Sequence, residues 1–296
     1  MTTVWQREED APTFGNFIGG RWQAAQNGEV FPAKNPGRVH EVIGWFAQSQ
    51  EEDVQQALAA ADAAQKSWRH SPPAQRAAIL DKAAQWLLNR QESIAQEIMR
   101  EEGKILREAR MEVQRTAEHL KFYAAAGYLT TGETFPSGDP HQWLFSQRYP
   151  LGVVAVITPW NFPLSIPGRK IAPALAAGNT VIFKPASETP LSAVRLVQAL
   201  EAAGLPDGVC NLLTGRGAVV GKSLVSARNV AAVTFTGSTA VGFQIHQDVS
   251  PQCRLQLELG GKNALVVWDD ADVPLAVSLA VQGGYNLAGQ ACTGTS

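Results

Sequence analysis

The chain has 296 residues, which is enough for about two domains. Its 45% hydrophobic and 18% charged content is typical of a globular protein, and a formal net charge of −2 argues against nucleic-acid and anionic-membrane partners. The amino terminus lacks the cationic start and apolar run of a signal peptide, and no segment has the roughly 18 consecutive apolar residues of a membrane span. Three widely spaced cysteines indicate neither disulfides nor a metal site, so we expect a cytoplasmic protein.

The first 127 residues predict short strands followed by four helices. The segments "NFIGGRW", from Asn16, and "VIGWF", from Val42, have the composition of strands and lie between turn signals. Ser49 and Glu52 fit a capping box at the start of the first helix. Apolar periodicity, with prolines in a first turn and a glycine after a last one, predicts further helices over 71–88, Glu92–Glu102 and Leu106–Ala126.

The second half of the chain has a different pattern of strand and helix signals. Residues 128–150 alternate turn residues with aromatic ones, which predicts an exposed hairpin or arm. From Val153 onward, apolar strands alternate with helices, and this pattern is typical of a doubly wound parallel sheet in an α/β fold. "RLQLELGG" and "ALVVWDD" predict further strands, and a helix is expected to run from Val273 up to the turn that contains Cys292.

Candidate binding segments follow the strands of the predicted sheet. They are "TPWNFP", "KPASETP", "TGRGAVVG" and "FTGSTAVG", and ligands of doubly wound sheets bind at these carboxyl ends. Glycines that open helices, here Gly215, Gly217 and Gly221 in one turn and Gly237 and Gly242 in another, can present N–H groups to phosphate oxygens. Neither set has the usual dinucleotide-binding spacing, so ordinary strand-to-helix turns explain each set equally well.

Five motifs together resemble those of the aldehyde dehydrogenases, which oxidise aldehydes to acids with NAD or NADP. "PWNFP", "GNTVIFKPASETP", "FTGSTAVG", "LELGGKN" and "GQAC" occur in this order at spacings similar to those of the family. The resemblance extends from about Asn16 to the last residue and implies an aldehyde-dehydrogenase-like α/β fold. It also implies a small aldehyde as substrate and NAD or NADP as cofactor.

Three residues are candidates for the chemistry. A thiolate adds readily to an aldehyde, and Cys292 lies among small polar residues in the turn that matches the family's nucleophile motif. By resemblance, the amide of Asn161 and the backbone N–H of Cys292 stabilise the resulting oxyanion, and Glu258 is the general base. From its neighbours alone, Asn161 is equally well a turn residue, and Glu258 a solvated strand end.

The resemblance also assigns the cofactor site. Lys184 is expected to bind the adenosine ribose, although as a strand-end lysine it can also extend to water. Many NAD-preferring relatives have a glutamate where this chain has Ser187, so NADP should be tolerated, and the preference between NAD and NADP stays open. Ser238 would face the pyrophosphate, while Pro159 and Trp160 form a wall of the channel. The remaining predicted cofactor residues are Thr158, Gly217, Gly221, Phe235, Gly237 and Leu259.

By resemblance, residues 1–127 and 151–260 form the cofactor domain, 128–150 an oligomerisation arm and 261–296 the start of a catalytic domain. We therefore expect a chain truncated just after Cys292, from a full-length homodimer or homotetramer. A non-catalytic nucleotide-binding fragment is the alternative. The motifs look most like those of relatives that act on semialdehydes such as 2-oxoglutarate semialdehyde. Arg169 is either a partner for a distal carboxylate or a solvated helix residue.

Overall fold

The computed structural model describes residues 5–6, 11–129 and 131–295. Its strands are β1 (Trp5–Gln6), β2 (Pro12–Phe14), β3 (Asn16–Ile18), β4 (Arg21–Gln23), β5 (Val30–Asn35), β6 (Arg38–Ala47), β7 (Thr134–Phe135), β8 (Leu144–Phe145), β9 (Val153–Ile157), β10 (Thr180–Lys184), β11 (Cys210–Leu212), β12 (Val230–Thr236) and β13 (Arg254–Glu258). Its α-helices are α1 (Glu51–Trp68), α2 (Pro73–Leu88), α3 (Gln91–Glu102), α4 (Leu106–Ala126), α5 (Ser165–Ala176), α6 (Pro190–Ala202), α7 (Lys222–Ser226), α8 (Thr239–Asp248) and α9 (Val273–Tyr285).

A seven-stranded sheet with the order β13-β12-β9-β10-β11-β3-β4 organises the molecule. Its five strands from β13 to β11 are parallel, and the β3–β4 hairpin adds an antiparallel edge. Among the parallel strands, the spatial order is third, second, first, fourth and fifth in the chain, counted from the β11 side. This is the order of a doubly wound sheet, with its switch point between β9 and β12. The predicted fold class is therefore confirmed.

Two apolar cores cover the two faces of this sheet. In β9, Val154 and Val156 pack into a core with helices α2 to α6, while Val153, Ala155 and Ile157 pack into a second core with α1 and α7. Every residue of β9 is buried. A strand that alternates between two apolar layers has no solvated face, which explains its uninterrupted apolar sequence.

Helix α1 begins at Glu51, but its predicted cap is wrong by one residue. The cap is Gln50, whose N–H donates to Asp53 Oδ2 at 2.8 Å, rather than Ser49 with Glu52. Ser49 is unavailable because it is buried and its hydroxyl donates to Asn16 Oδ1 at 2.9 Å. The other helices of this region agree with prediction, and α3 ends at Gly103, which has a φ of 98°.

The later elements agree with prediction except near the end. Strands β7 and β8 form an exposed antiparallel hairpin, as expected for residues 128–150. The strand predicted for residues 264–270 is wrong, since no described strand lies beside this exposed segment to bond it. Helix α9 also ends at Tyr285, well before Cys292, because Leu287 and Ala288 have positive φ angles of 55° and 53°.

Candidate active site

The predicted site residues gather at the carboxyl ends of β9, β12 and β13, beside the switch point. Asn161 follows β9, Gly237 and Ser238 follow β12, and Glu258 ends β13. The N–H of Gly237 donates to the backbone oxygen of Glu258 at 3.1 Å, which joins two of these turns. The parallel register therefore brings residues that are nearly a hundred positions apart to one edge of the sheet.

Cys292 is exposed and lines two neighbouring cavities. The first, of about 780 Å³, also contains Glu258 in its wall, and we call it the Glu258 cavity. The second, of about 580 Å³, is lined by Arg115, His119 and Phe162 among others, and we call it the His119 cavity. The predicted nucleophile thus lines the same cavity as the predicted general base and also borders the His119 cavity.

The turn that carries Cys292 is fixed through its backbone. Asn263 Nδ2 donates to the backbone oxygens of Cys292 and Gly294, at 2.7 and 3.1 Å. Farther back, the N–H of Leu287 donates to Glu108 Oε1 at 3.2 Å. Asn263 is absent from the sequence predictions, although it belongs to the quoted segment "LELGGKN".

The side chain of Asn161 reaches the segment before Cys292. Its Nδ2 donates to the backbone oxygen of Gln290 at 2.7 Å, two residues before the cysteine. Its Oδ1 is buried and has no hydrogen-bond partner among the described residues. An amide nitrogen has two hydrogens, so one donor remains available after the bond to Gln290. This position suits the predicted role of Asn161 as a donor to an oxyanion.

A chain of hydrogen-bonded polar side chains connects Lys170 in α5 to Glu258 at the end of β13. Lys170 Nζ donates to Thr234 Oγ1 at 2.7 Å, and this hydroxyl donates to Gln256 Oε1 at 2.6 Å. Gln256 Nε2 then donates to Glu258 Oε1 at 3.4 Å. Burial lowers the pKa of Lys170 to about 8, which the charge of Glu258 partly opposes. Lys170, Thr234 and Gln256 are absent from the predicted site residues, since only the packing of α5 against the sheet aligns them.

The predicted adenosine-side residues lie at the ends of β10 and β11. Lys184 is buried, and its Nζ donates to the backbone oxygen of Pro185 at 2.7 Å. Burial lowers the pKa of Lys184 to about 8, against the opposing charge of Glu188. Ser187 Oγ donates to the backbone oxygen of Gly215 at 2.9 Å, and Gly221 lies close to the Lys184 side chain.

The other predicted cofactor residues occupy the same edge. A Cβ added at Gly217 would meet no atom within 4 Å, so this backbone is open to a ligand. The Oγ of Ser238 accepts from the N–H of Val241 at 3.4 Å and caps α8. Thr158 Oγ1 is buried without a partner among the described residues, whereas Trp160 is 37% exposed. Pro159 is half-buried, Phe235 is buried, and Leu259 packs near Gly242.

Comparison with known proteins agrees with this geometry. The sequence model of the Aldehyde dehydrogenase family matches residues 22–296. The chain belongs to the aldehyde dehydrogenase family. It is 47% identical over 91% of its length to 2,5-dioxopentanoate dehydrogenase of Saccharolobus solfataricus, and covers 57% of that protein. It is 45% identical over 96% of its length to alpha-ketoglutaric semialdehyde dehydrogenase of Bacillus subtilis, and covers 58% of it.

A solved structure of a similar dehydrogenase has the same fold. The structure of 3,6-anhydro-L-galactose dehydrogenase in complex with NAP superposes with a TM-score of 0.92 at 37% identity. The match covers 95% of this chain and 58% of that one. The chain thus spans somewhat more than half the length of the family members it matches.

In the part of the chain that the structure describes, no helix has both the length and the apolar character needed to cross a membrane. The same residues contain no group of three or more His, Cys, Asp or Glu side chains placed to hold a metal ion.

Proposed function

We propose that the full-length protein oxidises an aldehyde to a carboxylic acid with NAD or NADP. The observation that carries the proposal is the position of Cys292. It lines the same cavity as Glu258, and the Asn161 amide is bonded to the segment just before it. A nucleophile, a base and an oxyanion donor around one cavity are the groups that aldehyde oxidation requires.

The proposed roles follow from the chemistry of each group. The Cys292 thiolate adds to the carbonyl carbon, and the negative charge that develops on oxygen is stabilised by Asn161 Nδ2 and the Cys292 N–H. The nicotinamide, when bound, accepts the hydride that leaves this carbon. Glu258 then takes a proton from water, and the hydroxide attacks the thioester to release the acid and the thiolate.

The described residues suit a dinucleotide at the carboxyl ends of β9 to β12. Gly217 offers open backbone, the buried Thr158 hydroxyl lacks a partner among the described residues, and the Ser238 turn begins a ten-residue helix. A helix N-terminus favours phosphate groups. Lys184 and Ser187 would hold the adenosine ribose, with a serine that does not repel a 2′-phosphate. This supports acceptance of NADP.

For the substrate we propose a semialdehyde with a carboxylate at its far end, such as 2-oxoglutarate semialdehyde. Arg169 is exposed and lines both the Glu258 and the His119 cavities, and Arg115 lines the latter as well. Guanidinium groups bind carboxylates in a bidentate manner. The names of the two similar dehydrogenases cited above, which denote dicarbonyl acids, support this choice.

We also propose the domain division and assembly expected from sequence. Residues 1–127 and 151–260 would form the cofactor domain, 261–296 the start of the catalytic domain, and 128–150 an arm between subunits of a homodimer or homotetramer. The arm exposes Trp143, Leu144 and Phe145, which are unusual in a solvated hairpin and suit a subunit contact. A cytoplasmic location fits the three free cysteines.

The test is an assay of the purified full-length protein with NAD or NADP. We expect acid production from a carboxylated semialdehyde at a kcat/KM at least about tenfold above that for a neutral aldehyde of equal length. Cys292→Ala should abolish turnover, and Arg169→Met should remove the preference for the carboxylated substrate. Nucleotide binding without turnover in wild type would contradict the proposal.

A further inference from the structure

A buried ion pair lies behind the segment that carries Asn161. Lys104 Nζ and Glu112 Oε2 are 2.6 Å apart, and their side chains are only 1% and 2% exposed. Lys104 lies in the turn between α3 and α4, and Glu112 lies in α4. Two charges are costly to remove from water, so such a pair persists where its remaining hydrogen-bonding capacity is used.

Apart from a longer contact of 3.8 Å between Lys104 Nζ and the buried Glu102 carboxylate, the other side-chain hydrogen bonds of this pair go to one segment, residues 161–165. Lys104 Nζ donates to the backbone oxygen of Asn161 at 2.8 Å and lies 4.7 Å from the centre of the Phe162 ring. Glu112 Oε1 accepts from the N–H groups of Leu164 and Ser165, at 2.9 and 3.0 Å. The ammonium therefore holds the beginning of the segment, and the carboxylate holds its end.

Among the described residues, no other charged side chain is hydrogen-bonded to the backbone of this segment. Helix α5 begins at Ser165, and its cap residue Leu164 provides no side-chain cap. The Glu112 carboxylate, which belongs to α4, caps α5 instead. Its negative charge also complements the dipole at the α5 N-terminus. The backbone of Asn161 is thus fixed by a charged donor, while its side-chain amide reaches Gln290 beside Cys292. A donor that must meet a developing oxyanion depends on such fixed placement.

We propose that Lys104 and Glu112 are positioning residues for the Asn161 amide. The inference rests on the proposed aldehyde oxidation, in which this amide stabilises the oxyanion. Glu112 borders the His119 cavity, but its side chain is only 2% exposed and that of Lys104 only 1%, so the pair acts through the backbone rather than by binding the substrate. It sets the distance between the amide and the carbonyl oxygen through the backbone of residues 161–165, so its loss lowers the rate of the first chemical step rather than cofactor binding.

The chain contains a matched control for the purely structural effect. Glu101 is also buried, and its carboxylate accepts from the N–H groups of Leu191 and Ser192 at the start of α6. Glu101 therefore caps the N-terminus of α6 as Glu112 caps that of α5. No described hydrogen bond joins Glu101 to Asn161 or to its neighbours in the chain.

The experiment is a double-mutant cycle in the full-length protein. Lys104→Met and Glu112→Gln are each made alone and together with Asn161→Ala, and kcat/KM for the aldehyde is measured with the Kd for NADP. We expect each single change to lower kcat/KM by about 10- to 100-fold with the Kd nearly unchanged. In the Asn161→Ala background, each should lower it by less than about twofold, since the group that they position is gone.

Glu101→Gln should change kcat/KM by the same factor in the wild-type and Asn161→Ala backgrounds, whatever the size of that factor. Thermal melting checks that every variant is folded. If Lys104→Met does not fold, Glu112→Gln carries the test, because its amide oxygen still accepts from the α5 N-terminus and keeps the fold, while the ion pair that holds Lys104 against the Asn161 backbone oxygen is lost. Equal losses from Lys104→Met or Glu112→Gln in both backgrounds would overturn the positioning role and leave aldehyde oxidation intact. Wild-type protein that oxidises no aldehyde would overturn the proposed function and the positioning role together.

Discussion

The hydroxyl of Ser187 donates to the backbone oxygen of Gly215 at 2.9 Å, and this bond joins the turn after β10 to the turn after β11. Ser187 is half-buried at the predicted ribose site, and its partner Gly215 lies two residues before Gly217, which has open backbone. A glutamate at this position would place a carboxylate near a 2′-phosphate. We expect Ser187→Glu to weaken NADP binding by about tenfold or more, because two like charges would face each other.

Isothermal titration of NAD and NADP against the wild-type protein and the variant measures this effect. Ser187→Gln is the matched control, since it has the same length as glutamate without the charge. The charged variant should lose NADP affinity while retaining NAD affinity, and the neutral variant should treat the two cofactors alike. Similar NADP affinity for all three proteins would place the 2′-phosphate away from residue 187.

The three cysteines should differ in reactivity. Cys292 is exposed, whereas Cys210 is fully buried and burial raises the pKa of its thiol to about 12. Cys253 is intermediate, and burial raises the pKa of its thiol as well. Because the thiolate is the reactive form, iodoacetamide should label Cys292 first in the folded protein. Peptide mass spectrometry during a time course gives the order, and early labelling of Cys210 would contradict the described burial.

The stability of the folded protein should depend on pH through Lys184. Burial lowers the pKa of its ammonium to about 8 from an ordinary value of 10.5. Between these values the unfolded chain binds more protons than the folded one, so the free energy of unfolding rises with pH. Wild type should therefore gain stability relative to Lys184→Met as the pH rises through this window, and the difference should be constant below it.

Urea denaturation of the cofactor-free protein below, within and above that pH window measures the difference. Lys222 is exposed at the start of α7, so Lys222→Met serves as the control and should show no such pH dependence. A Lys184→Met difference that is independent of pH would mean that the lysine reaches water in the folded state.

Much of the fold follows from local sequence signals. The apolar run of β9 predicts a strand buried on both faces, and Gly103 predicts the end of α3. These features depend on neighbours in the chain, which a reader of the sequence can see. The cap of α1 does not follow from neighbouring residues, because the Ser49 hydroxyl forms a buried hydrogen bond with Asn16, 33 residues away.

The residues of the candidate site divide in the same way, into those that local motifs predict and those that only the folded structure brings into contact. Cys292, Glu258 and Asn161 lie in recognisable motifs, whereas Lys104 and Glu112 act through contacts 52 to 57 residues away along the chain. Their distance from the motif in sequence hides them. A buried ion pair of this kind can be recognised only from the packed helices, which show that both side chains are removed from water.

Helix α5 should be sensitive to a single added methyl group at Gly168. A Cβ there would lie 2.8 Å from Thr116 Cγ2 in α4, closer than side chains normally approach. Thr116 cannot rotate freely, because it is buried and its hydroxyl donates to the Glu112 backbone oxygen at 2.7 Å. Alanine favours a helix by about 1 kcal/mol over glycine, but overpacking costs about 1–3 kcal/mol. We therefore expect Gly168→Ala to lower the free energy of unfolding.

The clash also moves the residues that follow, since Arg169 and Lys170 lie in the same turn of α5 and line the Glu258 cavity. Thr116→Ser removes the methyl group that Gly168→Ala would meet and retains the hydroxyl donor. Adding it to Gly168→Ala should restore both the melting temperature and the KM for a carboxylated aldehyde. If the double variant is no better than Gly168→Ala alone, contact between α4 and α5 at this point is not what requires the glycine.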